Sequence, residues 1–272
     1  MLKITGIAAL ISLFVAISVG AIGFMVVYSR LVVPEASDVA LAQASTVYWA
    51  GGEVEMGRVG EANREIIALD TVPDYVPHAV VAAEDRSFYT NPGIDFVATA
   101  RALYSTIVLG NTQGGSTITQ QYVERYYVGE TTTDIPGKIK EALLALKVDS
   151  EQTKDEVLEN YMNTIYFGRG AYGIEAAAQA YYDKPASELT LSEAALLAGI
   201  IPAPSAWDPR FSPERAEQRW NYVIDGMVEG EFITQAEADA AEFPETVEYV
   251  ADDTFGGPTG YILRAALDEA ME

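Results

Sequence analysis

Residues 114–121 read Gly-Gly-Ser-Thr-Ile-Thr-Gln-Gln. The two glycines let a backbone approach its neighbour closely. Thr117 and Gln120 stand at capping-box spacing, which predicts a helix starting here. A helix start carries free N–H groups and the positive end of the helix dipole, and both suit a phosphate. The hydroxyl and amide side chains add neutral hydrogen bonds to phosphate or sugar. An ordinary capped helix after a glycine turn has the same residues.

The signature recurs outward along the chain. Thr153 with Glu156 precedes Val157, Leu158, Tyr161, Met162 and Ile165. Thr190 with Glu193 precedes AALLAGI, which Pro202 stops, and Thr234 with Glu237 opens a shorter helix. Ser212-Pro213 starts a helix buried through Ala216, Trp220, Val223, Ile224 and Met227. Asp95 caps a stripe of Phe96, Ala100, Leu103 and Ile107, joined by Val97, Tyr104 and Val108. Residues 34–70 lack a helical period and hold strand-like pieces at Thr46–Trp49 and Glu65–Leu69. From Pro77 on helices dominate, so the fold class is mainly α. Pro244 to Gly260 holds Pro, Gly and acids and reads as a linker.

Composition narrows the function. The 272 residues include 17 Lys and Arg, 40 Asp and Glu, one His and no Cys, for a net charge of −23. With no Cys there is no disulfide, thiol nucleophile or Cys-based metal site. A single His, His78, excludes a His-rich metal centre, and its place between Pro77 and an apolar run favours a structural role. The acidity excludes nucleic-acid binding through a basic face. Residues 4–27 carry no charge, and about 20 such residues span a bilayer as a helix. A secretory signal has a shorter apolar run, so an uncleaved anchor is expected over residues 1–33. Lys3 and Arg30 are its only charges. The acidic remainder is repelled by anionic headgroups and needs the anchor, or an apolar surface of its own, to stay at a membrane.

Three further segments carry chemistry. Glu84-Asp85-Arg86-Ser87-Phe88-Tyr89 ends an apolar helix and suits either a tuned general base or a charged helix end with an Asp–Arg pair. Lys138-Ile139-Lys140-Glu141-Ala142-Leu143-Leu144-Ala145-Leu146 sets an acid in a helix buried nearly all round, with Ile139, Ala142, Leu143 and Leu146 on one face. A buried carboxylate needs a partner, and Lys138 or Lys140 is near. Two carboxylates beside a capped phosphate pocket suit glycosyl transfer. Gly168-Arg169-Gly170-Ala171-Tyr172-Gly173 reads as scaffold, its glycines permitting close packing of a turn on the next helix.

Together these segments resemble glycosyltransferase family 51, the peptidoglycan glycosyltransferase domain of class A penicillin-binding proteins and monofunctional transglycosylases. The likeness runs in order from Leu69 to Phe243: Glu84-Asp85-Arg86-x-Phe88, GGSTITQQ at 114–121, Lys138-x-x-Glu141, KDEVLENYMN at 154–163 and RGAYGIEAAAQAYY at 169–182. The resemblance implies a lysozyme-like helical lobe with a small membrane-associated jaw near 107–137, preceded by one transmembrane helix. It implies an anchor at 1–33, a glycosyltransferase domain at 34–243, and a linker with a short helix at 244–272. The implied substrates are lipid II and the growing glycan strand, with membrane lipid and other wall-synthesis proteins as partners. The implied location is the bacterial plasma membrane, single-pass, with the catalytic domain on the extracytoplasmic side.

The resemblance also assigns residues. Glu84 matches the general base on the acceptor 4-hydroxyl, and Glu141 the second glutamate, near the donor diphosphate. Ser116, Gln120, Gln121, Lys138, Lys140, Arg86, Asn163 and Arg169 match substrate-binding positions. In the jaw, Tyr122 to Val128 is expected to dock into the outer leaflet, with Tyr126 and Tyr127 at headgroup level. Several family positions differ: Asn91 stands where His is usual, Gly137 where Arg precedes the motif lysine, Glu124 where a Lys is common, and a Thr within 131–133 where an Arg is expected. No protein metal site is expected, but the lost positive charge leaves room for a divalent cation, Mg or Mn, at the diphosphate.

No Ser is followed three residues later by Lys, and no Lys-Thr-Gly occurs, so a transpeptidase domain is not expected within these residues. Two other readings stand beside polymerisation: a lysozyme-like enzyme that cleaves glycan, and a non-catalytic, membrane-anchored scaffold for wall synthesis.

Overall fold

The computed structural model describes residues 66–108, 115–125 and 135–249, the stretches 45–53 and 55–59, residues 28–33, and separate helical positions between 14 and 26 and between 260 and 269. A strand pair comes first. β1 (Ser45–Tyr48) and β2 (Glu55–Val59) run antiparallel, with Ser45 opposite Val59 and an irregularity between Val47 and Tyr48. The second strand expected at Glu65–Leu69 is not there: residues 66–68 are irregular and Leu69–Thr71 make a 3₁₀ turn. Side chains of a later helix supply the partners a strand would have given. The Asn163 amide exchanges two hydrogen bonds with the Ile67 backbone at 3.0 and 2.8 Å, and the Leu69 N–H donates to Glu159 at 2.7 Å.

The helical body follows. α1 (Tyr75–Glu84), α2 (Phe96–Val108), α3 (Ile118–Val123), α4 (Ile135–Glu151) and α5 (Lys154–Thr164) lead to a small hairpin, β3 (Tyr166–Gly168) and β4 (Ala171–Tyr172). Then come α6 (Ile174–Tyr182), α7 (Leu191–Ile200), α8 (Pro213–Glu229) and α9 (Gln235–Ala240). The capping boxes at Thr117, Thr153, Thr190 and Thr234 all form, and Ser212 precedes Pro213 at the start of α8 as expected.

α1, α7 and α8 pack on one another and hold much of the core. α7 is buried without a break from Ala194 to Ile200, so only small and aliphatic residues fit. The stripe Ala216, Trp220, Val223, Ile224 and Met227 of α8 is buried as the spacing predicts. Each fully buried aliphatic side chain there contributes about 1.5–3 kcal/mol relative to exposure. On the other side, α3 packs between α4 and α5 through Ile118, Tyr122 and Val123.

The α2 stripe, predicted without a partner, has Phe96, Val97 and Tyr104 63, 68 and 59% exposed, while Ser105 is buried. Periodicity marks an apolar face and is silent on what covers it. Ile139 is exposed for the same reason, although Leu143, Leu144 and Ala145 of α4 are buried. Tyr122 and Val123, expected at a leaflet, are fully buried. Tyr126, Tyr127 and the rest of 126–134 lie outside the described residues, as does 109–114.

The expected anchor at 4–27 also lies largely outside them. Its described positions are helical, and Phe14, Val19, Ile22 and Met25 are exposed. Among the described residues no helix is long and apolar enough to cross a membrane. The segment that follows rests on α4: Tyr28 Oη meets Ser150 Oγ at 3.1 Å, and Lys147 donates to the Leu31 carbonyl with its ammonium 5.8 Å from the Tyr28 ring.

Candidate active site

Glu84 is the last residue of α1, where the apolar face of that helix runs out. One carboxylate oxygen, Oε2, accepts from Gln121 Nε2 at 2.7 Å. The other, Oε1, is buried and has no hydrogen-bond partner among the described residues. Burial pushes the Glu84 pKa above the usual glutamate value, against the Gln121 hydrogen bond and the Arg219 and Arg125 charges, while Asp85 adds to the rise. Glu84 lines a cavity of about 210 Å³ together with Arg86, Asp95, Arg101, Gly115 and Ser116.

Asp85, beside the base, works inward. Its carboxylate accepts from the Ser87 N–H and Oγ at 3.1 and 2.8 Å, from Asn91 Nδ2 at 2.9 Å and from the Ile118 N–H at 3.3 Å. The loop after α1 is thereby tied to the start of α3. Asn91, at the position where the family usually has His, donates to Asp85, and its own oxygen accepts from the Gly93 N–H at 2.9 Å. Lys154 completes the support: its ammonium reaches the Asn91 carbonyl at 2.7 Å and Asp149 at 2.5 Å, and lies 4.7 Å from the Phe88 ring centroid. The expected Asp–Arg pair does not form. Arg86 pairs with Glu229 and lies over the Tyr222 ring at 4.7 Å, both on α8.

The start of α3 is less open to a phosphate than the sequence suggests. The Thr117 N–H is bound to Gln120 Oε1 at 2.9 Å, the Ile118 N–H to Asp85, and the Gln120 N–H to Thr117 Oγ1 at 3.1 Å. Thr117 Oγ1 also donates to the Gly93 carbonyl at 2.6 Å. Gln120 is thus a capping residue through its oxygen. Ser116 is exposed on the rim of the cavity.

Glu141 is buried and belongs to a second cluster. Lys138 Nζ stands 2.8 Å from Glu141 and 3.7 Å from Glu124, joining the beginning of α4 to the end of α3. Burial works to lower the Lys138 pKa, but the Glu141 and Glu124 carboxylates outweigh it and raise the pKa. Lys140, two residues on, is exposed.

Asn163 and Arg169 are not brought to this cavity. Asn163 spends its amide on Ile67. Arg169, at φ +51° in the β3–β4 turn, is wholly buried at its side chain. It grips Asp208 with two hydrogen bonds of 3.0 Å and donates to the Ala180 and Val247 carbonyls and Thr246 Oγ1. The Val247 N–H donates in turn to the Tyr181 carbonyl at 2.8 Å, so residues 246–247 are strapped to α6. The scaffold reading of this segment suits that arrangement. His78 stacks on Phe232 at 4.3 Å.

Sequence reasoning missed Arg101, which lines the Glu84 cavity from α2, and Arg219 of α8, whose charge acts on Glu84. Their helices gave no local signal of where those faces point. Among the described residues no group of three His, Cys, Asp or Glu side chains could hold a metal ion.

The family sequence model described as Transglycosylase matches residues 52–228. Penicillin-binding protein 1A of Mycobacterium tuberculosis is 45% identical over 257 residues, 92% of this chain and 31% of the relative. That of Mycolicibacterium smegmatis is 44% identical over 260 residues, 92% of this chain and 33% of the relative. The crystal structure of penicillin-binding protein 1A from Haemophilus influenzae aligns with a TM-score of 0.47 at 27% identity, covering 84% of this chain and 24% of that one. The chain spans about a third of the length of the curated relatives it matches. The five ordered motifs and a family match over most of the helical body lead to one conclusion: this chain belongs to the transglycosylase family, glycosyltransferase family 51.

Proposed function

We propose that this chain is a peptidoglycan glycosyltransferase that polymerises lipid II into glycan strands. The carrying observation is Glu84: a buried carboxylate, one oxygen held by Gln121 and the other without a partner among the described residues, beside a polar cavity. A carboxylate whose pKa is raised by burial is a stronger base than an ordinary one. The Glu84 carboxylate takes the proton of the acceptor's GlcNAc 4-hydroxyl. The freed oxygen attacks C1 of the growing glycan from the face opposite the leaving group, with inversion, and undecaprenyl diphosphate departs. Ser116 and Arg101 on the cavity rim are placed to contact sugar or diphosphate. The Lys138–Glu141 pair and exposed Lys140 of α4 serve the donor diphosphate, where a fixed cation stabilises the charge that develops as the lipid leaves.

The proposed organisation has an anchor at 1–33, the catalytic domain at 34–243 and a linker with a short helix at 244–272, working on the extracytoplasmic side of the plasma membrane beside other wall-synthesis proteins. The uncovered apolar face of α2 supports a membrane-associated jaw on a lysozyme-like lobe, because exposed Phe96, Val97 and Tyr104 suit a bilayer interface. The test is incubation of the purified protein with lipid II in detergent, with and without divalent cation. Glycan chains and released undecaprenyl diphosphate are expected. Cleavage of purified glycan without polymerisation would favour the hydrolase reading, and lipid II binding without turnover the scaffold reading.

A further inference from the structure

The free and bound oxygens of Glu84 are chosen by a group one step behind it. Gln121 has an amide with a carbonyl end and an NH₂ end, and nothing about its chain connectivity decides which end meets the base. In this fold its oxygen accepts from the Tyr161 hydroxyl at 2.9 Å, and its nitrogen donates to Glu84 at 2.7 Å. Tyr161 is fully buried on α5, among the large side chains that fix the contact of α5 with α3. Its ring could pack as phenylalanine; the hydroxyl is the part that reaches the site. Burial, with Glu84 close by, raises the phenol pKa well above its ordinary value, against the Arg125 charge. The hydroxyl therefore keeps its proton and remains a donor.

We infer that Tyr161 is a positioning residue for Glu84, acting through Gln121: it locks the amide so that NH₂ faces the carboxylate and holds the ionised form of the base. This rests on the reading of Glu84 as the base. An ionised carboxylate only accepts hydrogen bonds, so the amide must present its nitrogen to be useful. Without the Tyr161 hydroxyl the amide can turn over and present its oxygen. An oxygen beside a carboxyl favours the protonated form, which cannot act as a base. The other groups acting on Glu84 do not change in this swap: Asp85 next to it, Arg125 just beyond α3 and Arg219 on α8.

The experiment compares wild type with Tyr161→Phe in the full chain. The Glu84 carboxyl is titrated by carbon NMR, and the pH profile of lipid II polymerisation is recorded alongside. The Glu84 midpoint is expected to rise by about one unit in Tyr161→Phe, the worth of a hydrogen bond to a charged group. The acid limb of kcat/KM should move with it. An unmoved midpoint in a folded Tyr161→Phe protein overturns the inference. The titration needs no turnover, so a wild type that fails to polymerise lipid II refutes the proposed function and leaves the relay still decided by Glu84. Should Tyr161→Phe not fold, the wild-type Gln121 side-chain amide decides. One of its protons should be shifted downfield and protected while Glu84 is ionised, and both signs should fade as Glu84 is protonated. Two freely exchanging protons at every pH overturn the inference.

Discussion

Replacing Glu84 by Gln should damage activity and improve stability at once. The side chain keeps its length, and the new amide oxygen can still accept from Gln121 Nε2, now 2.7 Å from Glu84. What disappears is the charge and the ability to take a proton. Loss of a general base lowers turnover by about 10²–10⁴-fold, which is about 2.7–5.4 kcal/mol of barrier. In the folded protein this carboxylate is buried with one oxygen that has no partner among the described residues. Because the folded carboxyl holds its proton more tightly than the unfolded one, the folded state binds more protons between the ordinary glutamate pKa and the raised value. Wild-type stability therefore falls as pH climbs through that window, and Glu84→Gln removes the fall. Above the window the variant should be the more stable, with the higher Tm. Polymerisation of lipid II and thermal melts at a series of pH values read both effects. Near-normal polymerisation by the folded variant would refute the base assignment. A lower Tm than wild type at neutral pH would refute the account of its burial.

Arg169→Ala should leave the buried Asp208 with Arg210 as its remaining guanidinium partner, costing about 3–5 kcal/mol and lowering Tm by about 6 °C or more in a thermal melt. Burial alone would raise the Asp208 pKa, but the bonds from Arg169 and Arg210 hold it at about 2 against an ordinary 3.8, so the gap between variant and wild type should narrow as pH falls through that range. Gly93→Ala places a methyl 2.7 Å from the Ala145 carbonyl at a φ of +82°, and a urea midpoint should report a loss of about 2–4 kcal/mol. Residues 1–272 on their own should not form a covalent adduct with a fluorescent penicillin, because no Ser-x-x-Lys occurs among them; a labelled band on a denaturing gel would contradict this.

The helical fold was legible because its signals are local. Thr153 and Glu156 need only each other to mark the start of α5, and Pro213 needs only its own ring to favour a first turn. The Glu65–Leu69 strand failed because the decisive partners, Asn163 and Glu159, sit far along the chain and act through side chains that carry no pairing pattern. The stripe of α2 was legible as a stripe, but not that Phe96, Val97 and Tyr104 stay exposed, since an apolar face has the same spacing whatever it meets. At the site, Glu84, Ser116 and Gln121 could be picked out by motif. The bond from Tyr161 could not, although a tyrosine at a core position hints at a hydroxyl with a partner. Arg169 shows the opposite case, where a conspicuous cation in a glycine-rich turn is consumed by Asp208 and the backbone.

The capping boxes of α3, α5, α7 and α9 have a kinetic consequence. Each closes within four residues, so the corresponding turns can form on the sub-microsecond scale of helix growth, before any distant contact exists. The slow event is a search over long sequence separation: α1 is covered only when α7 and α8 arrive. During synthesis, residues 75–84 leave the ribosome well before residues 191–229. The apolar helix that ends at Glu84 is therefore made early and sheltered late. Through that interval Val76, Val80 and Val81 stand open to whatever binds bare hydrophobic chain, which makes this stretch the natural point for a chaperone to hold the nascent protein.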